Sequence, residues 1–195
     1  KLEELREEGF EFLICPGNHD IKDAGLVAVV NGRKKFNRVF KRLIAKGNIA
    51  GDDKNDFYAY PMVHKFDDHF FIGLDSMKKQ NGNGAKGELG DRQRNKLKKV
   101  LKTIREEHSD AKIVVYLHHS PLFHKPSLEL IDRKQFLEII RGVNVLLFGH
   151  WHVNKRYPEK EKKYDIDCFI NGGDSNIGNI HWWEIDTDDY SAIEY

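Results

Sequence analysis

The chain has 195 residues, 39% hydrophobic and 32% charged, which suits one domain with a sizeable core. Lys and Arg number 32 against 31 Asp and Glu, so a net charge of +1 gives no global basicity calling for nucleic acid or a membrane surface. No apolar run reaches the length of a transmembrane helix, no signal peptide is visible, and a cytoplasmic location is the expectation.

Residues 1–8 predict a charged helix with Leu2 and Leu5 on one face, ended by Gly9. Residues 10–15 predict a strand, after which Pro16-Gly17 turns the chain into Asn18-His19-Asp20. Residues 21–56 mix irregular and helical structure. Phe36, Val39, Phe40, Leu43 and Ile44 have helical spacing there, and residues 46–56 form a polar loop. Residues 57–63 and 70–75 pattern as a hairpin, extended by His64-Lys65-Phe66 and His69 toward a tight turn at Asp67-Asp68. His64, His69 and His108 are expected at the surface. Residues 77–87 are a loop rich in Gly, Asn and Lys.

Leu89, Gln93, Leu97, Val100, Leu101 and Ile104 mark an amphipathic helix whose other face carries Arg92, Arg94, Lys96, Lys98, Lys99, Lys102 and Arg105. A solvated face explains those charges more simply than a nucleic-acid groove, which would interleave aromatics. Residues 112–117 predict a strand that delivers His118-His119-Ser120-Pro121. Residues 128–141 predict a second amphipathic helix. Residues 143–148 are an apolar run bounded by Gly, read as a buried strand leading into Gly149-His150-Trp151-His152. Residues 157–163 pattern as a charged, Pro-containing loop. Residues 166–170 form a strand into Asn171-Gly172-Gly173, and residues 180–186 and 191–195 close the chain as a hairpin. Cys15 and Cys168 lie in strand-like runs and are expected as buried reduced thiols, a disulfide between neighbouring strands being the alternative. No repeat or linker divides the chain, so residues 1–195 are taken as one domain.

Three predicted strands end in metal-competent side chains: Asn18 and His19, then His118 and His119, then His150 and His152. Ligands of open α/β sheets gather at the carboxyl ends of strands. Imidazoles and an amide oxygen, without Cys, suit a first-row transition ion better than a structural zinc site.

Through Pro16-Gly17-Asn18-His19-Asp20, His118-His119-Ser120-Pro121 and Gly149-His150-Trp151-His152, in this order, the chain resembles the calcineurin-like metallophosphoesterases. Gly73-Leu74-Asp75-Ser76, followed by Gly87-Glu88-Leu89-Gly90-Asp91-Arg92-Gln93, looks like the cyclic-nucleotide and glycerophosphodiester phosphodiesterase branch. The resemblance implies an α/β (α+β) fold, a two-layered β-sandwich flanked by helices. It also implies a binuclear centre of two divalent ions, such as Mn, Fe or Zn, at the strand ends. Asn18, His119 and His150 would bind the second ion and His152 the first. His119 is preferred to His118 because it stands two residues before Pro121, as in the purple acid phosphatase branch. His118 is then a neighbour behind the ligands. His19 would contact the phosphate and assist the leaving oxygen.

The implied reaction is hydrolysis of a phosphodiester or small phosphomonoester by a hydroxide activated between the two ions. A nuclease of the same superfamily and a non-catalytic scaffold are the alternatives. Asp20 stands where the Ser/Thr protein phosphatases of the family usually carry Glu, which disfavours a phosphoprotein substrate. Trp151 could floor a groove for a base or wedge against the sheet. His124 and Lys125 could touch substrate, although surface positions explain them more simply. The family pattern opens with Asp-x-His and then Gly-Asp, and neither precedes Asn18 in this order. The expectation is a domain lacking its first strand-helix-strand unit, inactive by itself, with its oligomeric state open.

Overall fold

The computed structural model describes residues 2–23, 27–28, 32–40, 60–77, 85–122, 125–172 and 183–194. The N-terminal part holds helices α1 (Leu2–Glu7), α2 (Asn18–Ile21) and α3 (Gly32–Phe40), with a short antiparallel ladder of β1 (Lys22–Asp23) on β2 (Val27–Ala28). Next come β3 (Met62–Phe66), β4 (His69–Gly73), α4 (Gly90–Glu107), β5 (Lys112–Tyr116) and a 3-10 turn, Pro126–Leu128. The chain continues through α5 (Arg133–Ile139), β6 (Val145–Phe148), β7 (Asn154–Arg156), α6 (Pro158–Tyr164) and β8 (Cys168–Gly172). It closes on the hairpin of β9 (Trp183–Ile185) and β10 (Ala192–Glu194).

Six of these strands form one sheet in the order β3-β4-β5-β6-β8-β7. β4, β5, β6 and β8 run parallel, while β3 and β7 are antiparallel edges. Central parallel strands are covered on both faces, which is why their sequences are nearly continuous apolar runs. On one face Phe70, Ile72, Val115, Leu146 and Phe169 pack against Leu97, Leu101 and Ile104 of α4 and Phe136 and Leu137 of α5. On the other, Val114, Val145, Cys168 and Ile170 meet Trp183, Ile185 and Ala192 of the last hairpin. The mixed α/β architecture expected from the sequence is present. Among the described residues no helix is long and apolar enough to cross a membrane.

The start of α4 is held from outside. Buried Asp132 accepts from the backbone N–H of Leu89 at 3.1 Å and of Gly90 at 2.8 Å, and pairs with the guanidinium of Arg94. Those N–H groups open at a helix start and need an acceptor. This explains a difference from the sequence reading. The helix expected over 128–141 is only α5, because Leu130 bridges to Gly87 and Asp132 turns back toward α4.

Residues 10–15 also differ from expectation. They contain one bridging residue, Phe12, and no strand, and Phe10 is 57% exposed. An apolar run becomes a strand only where a ladder extends along it, and here the pairing is confined to the single bridge at Phe12. Residues 157–163, expected as a loop, lie largely in α6. Its Pro158 sits in the first turn, where a missing N–H costs nothing, and Asp165 ends it in the left-handed conformation. Both cysteines are free. Leu43 and Ile44 lie outside the described residues, as do His124 and most of the 77–87 loop.

His64, expected at the surface, is 1% exposed on β3, and neither ring nitrogen has a hydrogen-bond partner among the described residues. Burial holds its pKa below the usual 6.5, opposed by the nearby charge of Glu11. A neutral buried imidazole makes the unfolded state bind more protons. Its contribution is complete above the unfolded pKa, declines as pH falls below about 6.5, and is exhausted only at the lower folded value. Urea denaturation between pH 5 and 8 is therefore expected to show stability falling on acidification. His64→Leu is expected to flatten that dependence, and an unchanged slope would assign it to other groups.

Candidate metal centre

The site is built by strand register. Tyr116 of β5 pairs with Leu147 of β6, and two further bonds prolong the ladder: Leu117 N–H to Leu147 O at 3.1 Å and Gly149 N–H to His118 O at 3.0 Å. The residues just beyond both strands, His118-His119 and His150, are thereby delivered to one rim of the sheet. His150 and His152 have φ of 75° and 54°. Residues with a Cβ seldom adopt this left-handed region, and such conformations gather at functional sites.

Asn18 reaches the same rim from α2 and is buried. Asp20 holds its turn, accepting from the Gly17 N–H at 2.8 Å. Gly17 itself admits the neighbouring imidazole, since a Cβ there would stand 2.9 Å from Nδ1 of His118.

Three polar atoms converge. Nε2 of His118 lies 2.7 Å from Oδ1 of Asn18 and 3.0 Å from Nδ1 of His150. Burial above all, then the charges of His150, His19 and His152, push the His118 pKa down to about 3, so this imidazole is neutral near pH 7. His119 is oriented differently. Its Nε2 lies 3.1 Å from the carbonyl of Ala85 and its Nδ1 2.7 Å from Oγ of Ser76. A carbonyl only accepts, so Nε2 carries the proton and Nδ1 accepts from the Ser76 hydroxyl. Ser76 Oγ in turn accepts from the His119 backbone N–H at 3.3 Å. The His119 ring backs the other two, with centroids 4.4 Å from His150 and 4.9 Å from His118. These three histidines are the one group of metal-competent acids, thiols and imidazoles found among the described residues, with donor atoms all within 4.8 Å.

Helix α4 supports this arrangement. Gln93 brackets Asp75, its Oε1 accepting from the Asp75 N–H at 2.9 Å and its Nε2 donating to the Asp75 carbonyl at 2.7 Å. That clamp sets the segment presenting Ser76 to His119. Residue 87 must be small as well: a Cβ on Gly87 would lie 2.3 Å from Cγ of His119. The sequence signalled these residues only as stretches resembling a phosphodiesterase branch; their support of His119 was not visible in it.

His19 and His152 are exposed and Trp151 is half-buried. With Asn18 and His150 they line a cavity of about 370 Å³. Ala85, Lys125 and Leu128 line it too, and among the described residues no carboxylate does.

The model of the calcineurin-like phosphoesterase family matches residues 1–154, a span containing every site residue described above. The chain belongs to the calcineurin-like phosphoesterase family. No curated protein matches it significantly. The family chemistry is metal-dependent phosphoester hydrolysis, and the donors present fit a divalent ion. Two ligands about 2.1 Å from one ion stand roughly 3.0–3.4 Å apart, and the His118–Asn18 and His118–His150 separations of 2.7 and 3.0 Å lie close to that range.

Gly87→Ala tests the support. The added methyl is expected to displace His119, lowering stability by about 1–3 kcal/mol and weakening Mn²⁺ binding. Thermal melting and metal titration read the two effects, and wild-type values in both would remove His119 from the site's architecture.

Proposed function

We propose that the protein is a metal-dependent phosphoesterase acting on a phosphodiester or small phosphomonoester, with two divalent ions at this strand-end site. The observation that carries the reading is the convergence of Asn18 Oδ1, His118 Nε2 and His150 Nδ1 within the span matched by the family. For the histidine pair we now favour His118 as the ligand, in place of His119. Both nitrogens of His119 are committed to Ser76 and Ala85, whereas Nε2 of His118 faces the other two donors. His152 is the ligand proposed for the other ion. When bound, the two ions acidify a water and neutralise phosphoryl oxygens.

The chain's own groups do the rest. Asn18, His118 and His150 fix the position of one ion, and so of the phosphate. His19, exposed and lining the cavity, is the group we assign to give a hydrogen bond or proton to the departing oxygen. Asp20 keeps the turn that carries Asn18 and His19. The basic residues of α4 do not line the cavity, which favours a small substrate over a nucleic-acid strand.

The experiment is metal analysis and turnover of bis-p-nitrophenyl phosphate by the Mn²⁺-loaded intact protein. His118→Ala is expected to lose metal and activity together, and unchanged turnover would refute the ligand assignment. His19→Ala is expected to keep its metal while the rate falls by roughly a hundred- to ten-thousandfold. The loss should be greater for an alkyl leaving group than for nitrophenolate, which needs less protonation. Metal loss in His19→Ala would make it a ligand instead.

A further inference from the structure

We infer that Lys125 binds a second phosphate of the substrate, so that the preferred substrates are esters carrying another phosphate besides the one that is cleaved. The inference rests on the phosphoesterase reading and adds a specificity-determining residue to it.

Lys125 lines the cavity that also holds His19 and His150, and among the described lining residues it alone carries a permanent positive charge. Among the described residues no carboxylate lines that cavity to neutralise it. The acidic residue nearest in sequence, Glu129, is taken by two other cations, Lys86 at 3.2 Å and Arg133 at 2.8 Å. Lys125 has no ion-pair partner among the described residues.

Its backbone is held in place. The Lys125 carbonyl accepts from the Leu128 N–H at 3.1 Å, and Pro126 follows in the 3-10 turn. The ammonium therefore extends from an anchored point. The cavity, at about 370 Å³, is within the range of sites for whole small ligands, about 300–1,000 Å³, and exceeds what one phosphoryl group requires. The scissile phosphate already has the ligand cluster and His19. An exposed lysine lining the same cavity, with no counter-charge among the described residues, matches an additional anion. Phosphate, with several acceptor oxygens, is the anion such a donor suits.

The test compares fructose 6-phosphate with fructose 1,6-bisphosphate, which differ by one phosphate, by calorimetry on the Mn²⁺-loaded intact protein. Inorganic phosphate serves as the reference. The bisphosphate is expected to bind about fivefold more tightly, the upper range for an exposed ion pair, and the advantage should shrink at high salt. Lys125→Met should abolish that preference and leave inorganic phosphate binding within about twofold, with an unchanged circular dichroism spectrum. A wild-type protein without the preference, or a variant that retains it, overturns the assignment. Equal weakening of all three ligands places Lys125 on the scissile phosphate and overturns it too. Failure of the wild type to bind even inorganic phosphate refutes instead the phosphoesterase reading beneath it.

Discussion

The site depends on the parallel ladder between β5 and β6. Val114, Val115 and Tyr116 face Val145, Leu146 and Leu147 in register, and the bonds continue until Gly149 reaches the His118 carbonyl. A slip of one residue would exchange the two faces of a strand. It would present Val114 to the helices and Val115 to the β9–β10 hairpin, and it would move His118 away from His150. Both faces of the sheet are buried against different partners, so the apolar pattern that makes the core also sets the spacing of the imidazoles.

The helical layer is connected to the rim by a few polar contacts. Asp132 anchors the beginning of α4, and one turn later Gln93 clamps Asp75. Ser76 then orients His119, whose ring lies against His118 and His150. Each group in this series is satisfied by a specific partner. Buried polar groups of this kind stabilise when fully paired and are costly when one member is removed. A cluster of imidazoles held from behind in this way has little freedom left to lose.

Much of this was legible in the sequence. The apolar runs before His118 and His150 gave β5 and β6, the Asp67-Asp68 turn gave the β3–β4 hairpin, and the spacing of Leu97, Leu101 and Ile104 gave the buried side of α4. The motifs led to the family and to Asn18 and His150, which meet at the rim. What stayed hidden was direction. His118 and His119 are adjacent, and counting back from Pro121 cannot tell which side chain faces Asn18 and which turns toward Ser76; that depends on how the chain leaves β5. Burial without periodicity was also invisible. His64 looked like a polar surface residue because nothing local shows what covers the outer face of β3. Residues 10–15 looked like a strand because β-propensity describes the run and says nothing of its neighbours.

The left-handed backbone at His150 and His152 has an evolutionary corollary. Such a conformation costs a residue with a Cβ on the order of 1–3 kcal/mol, and glycine is the residue that escapes it. Substitution by glycine at either position would relax the main chain as it deleted an imidazole. Drift toward greater stability therefore runs directly against retention of the donors, and a lineage released from the need for them would have an easy downhill path to erasing this corner of the sheet. Histidine at both positions keeps a strained main chain where glycine would relax it.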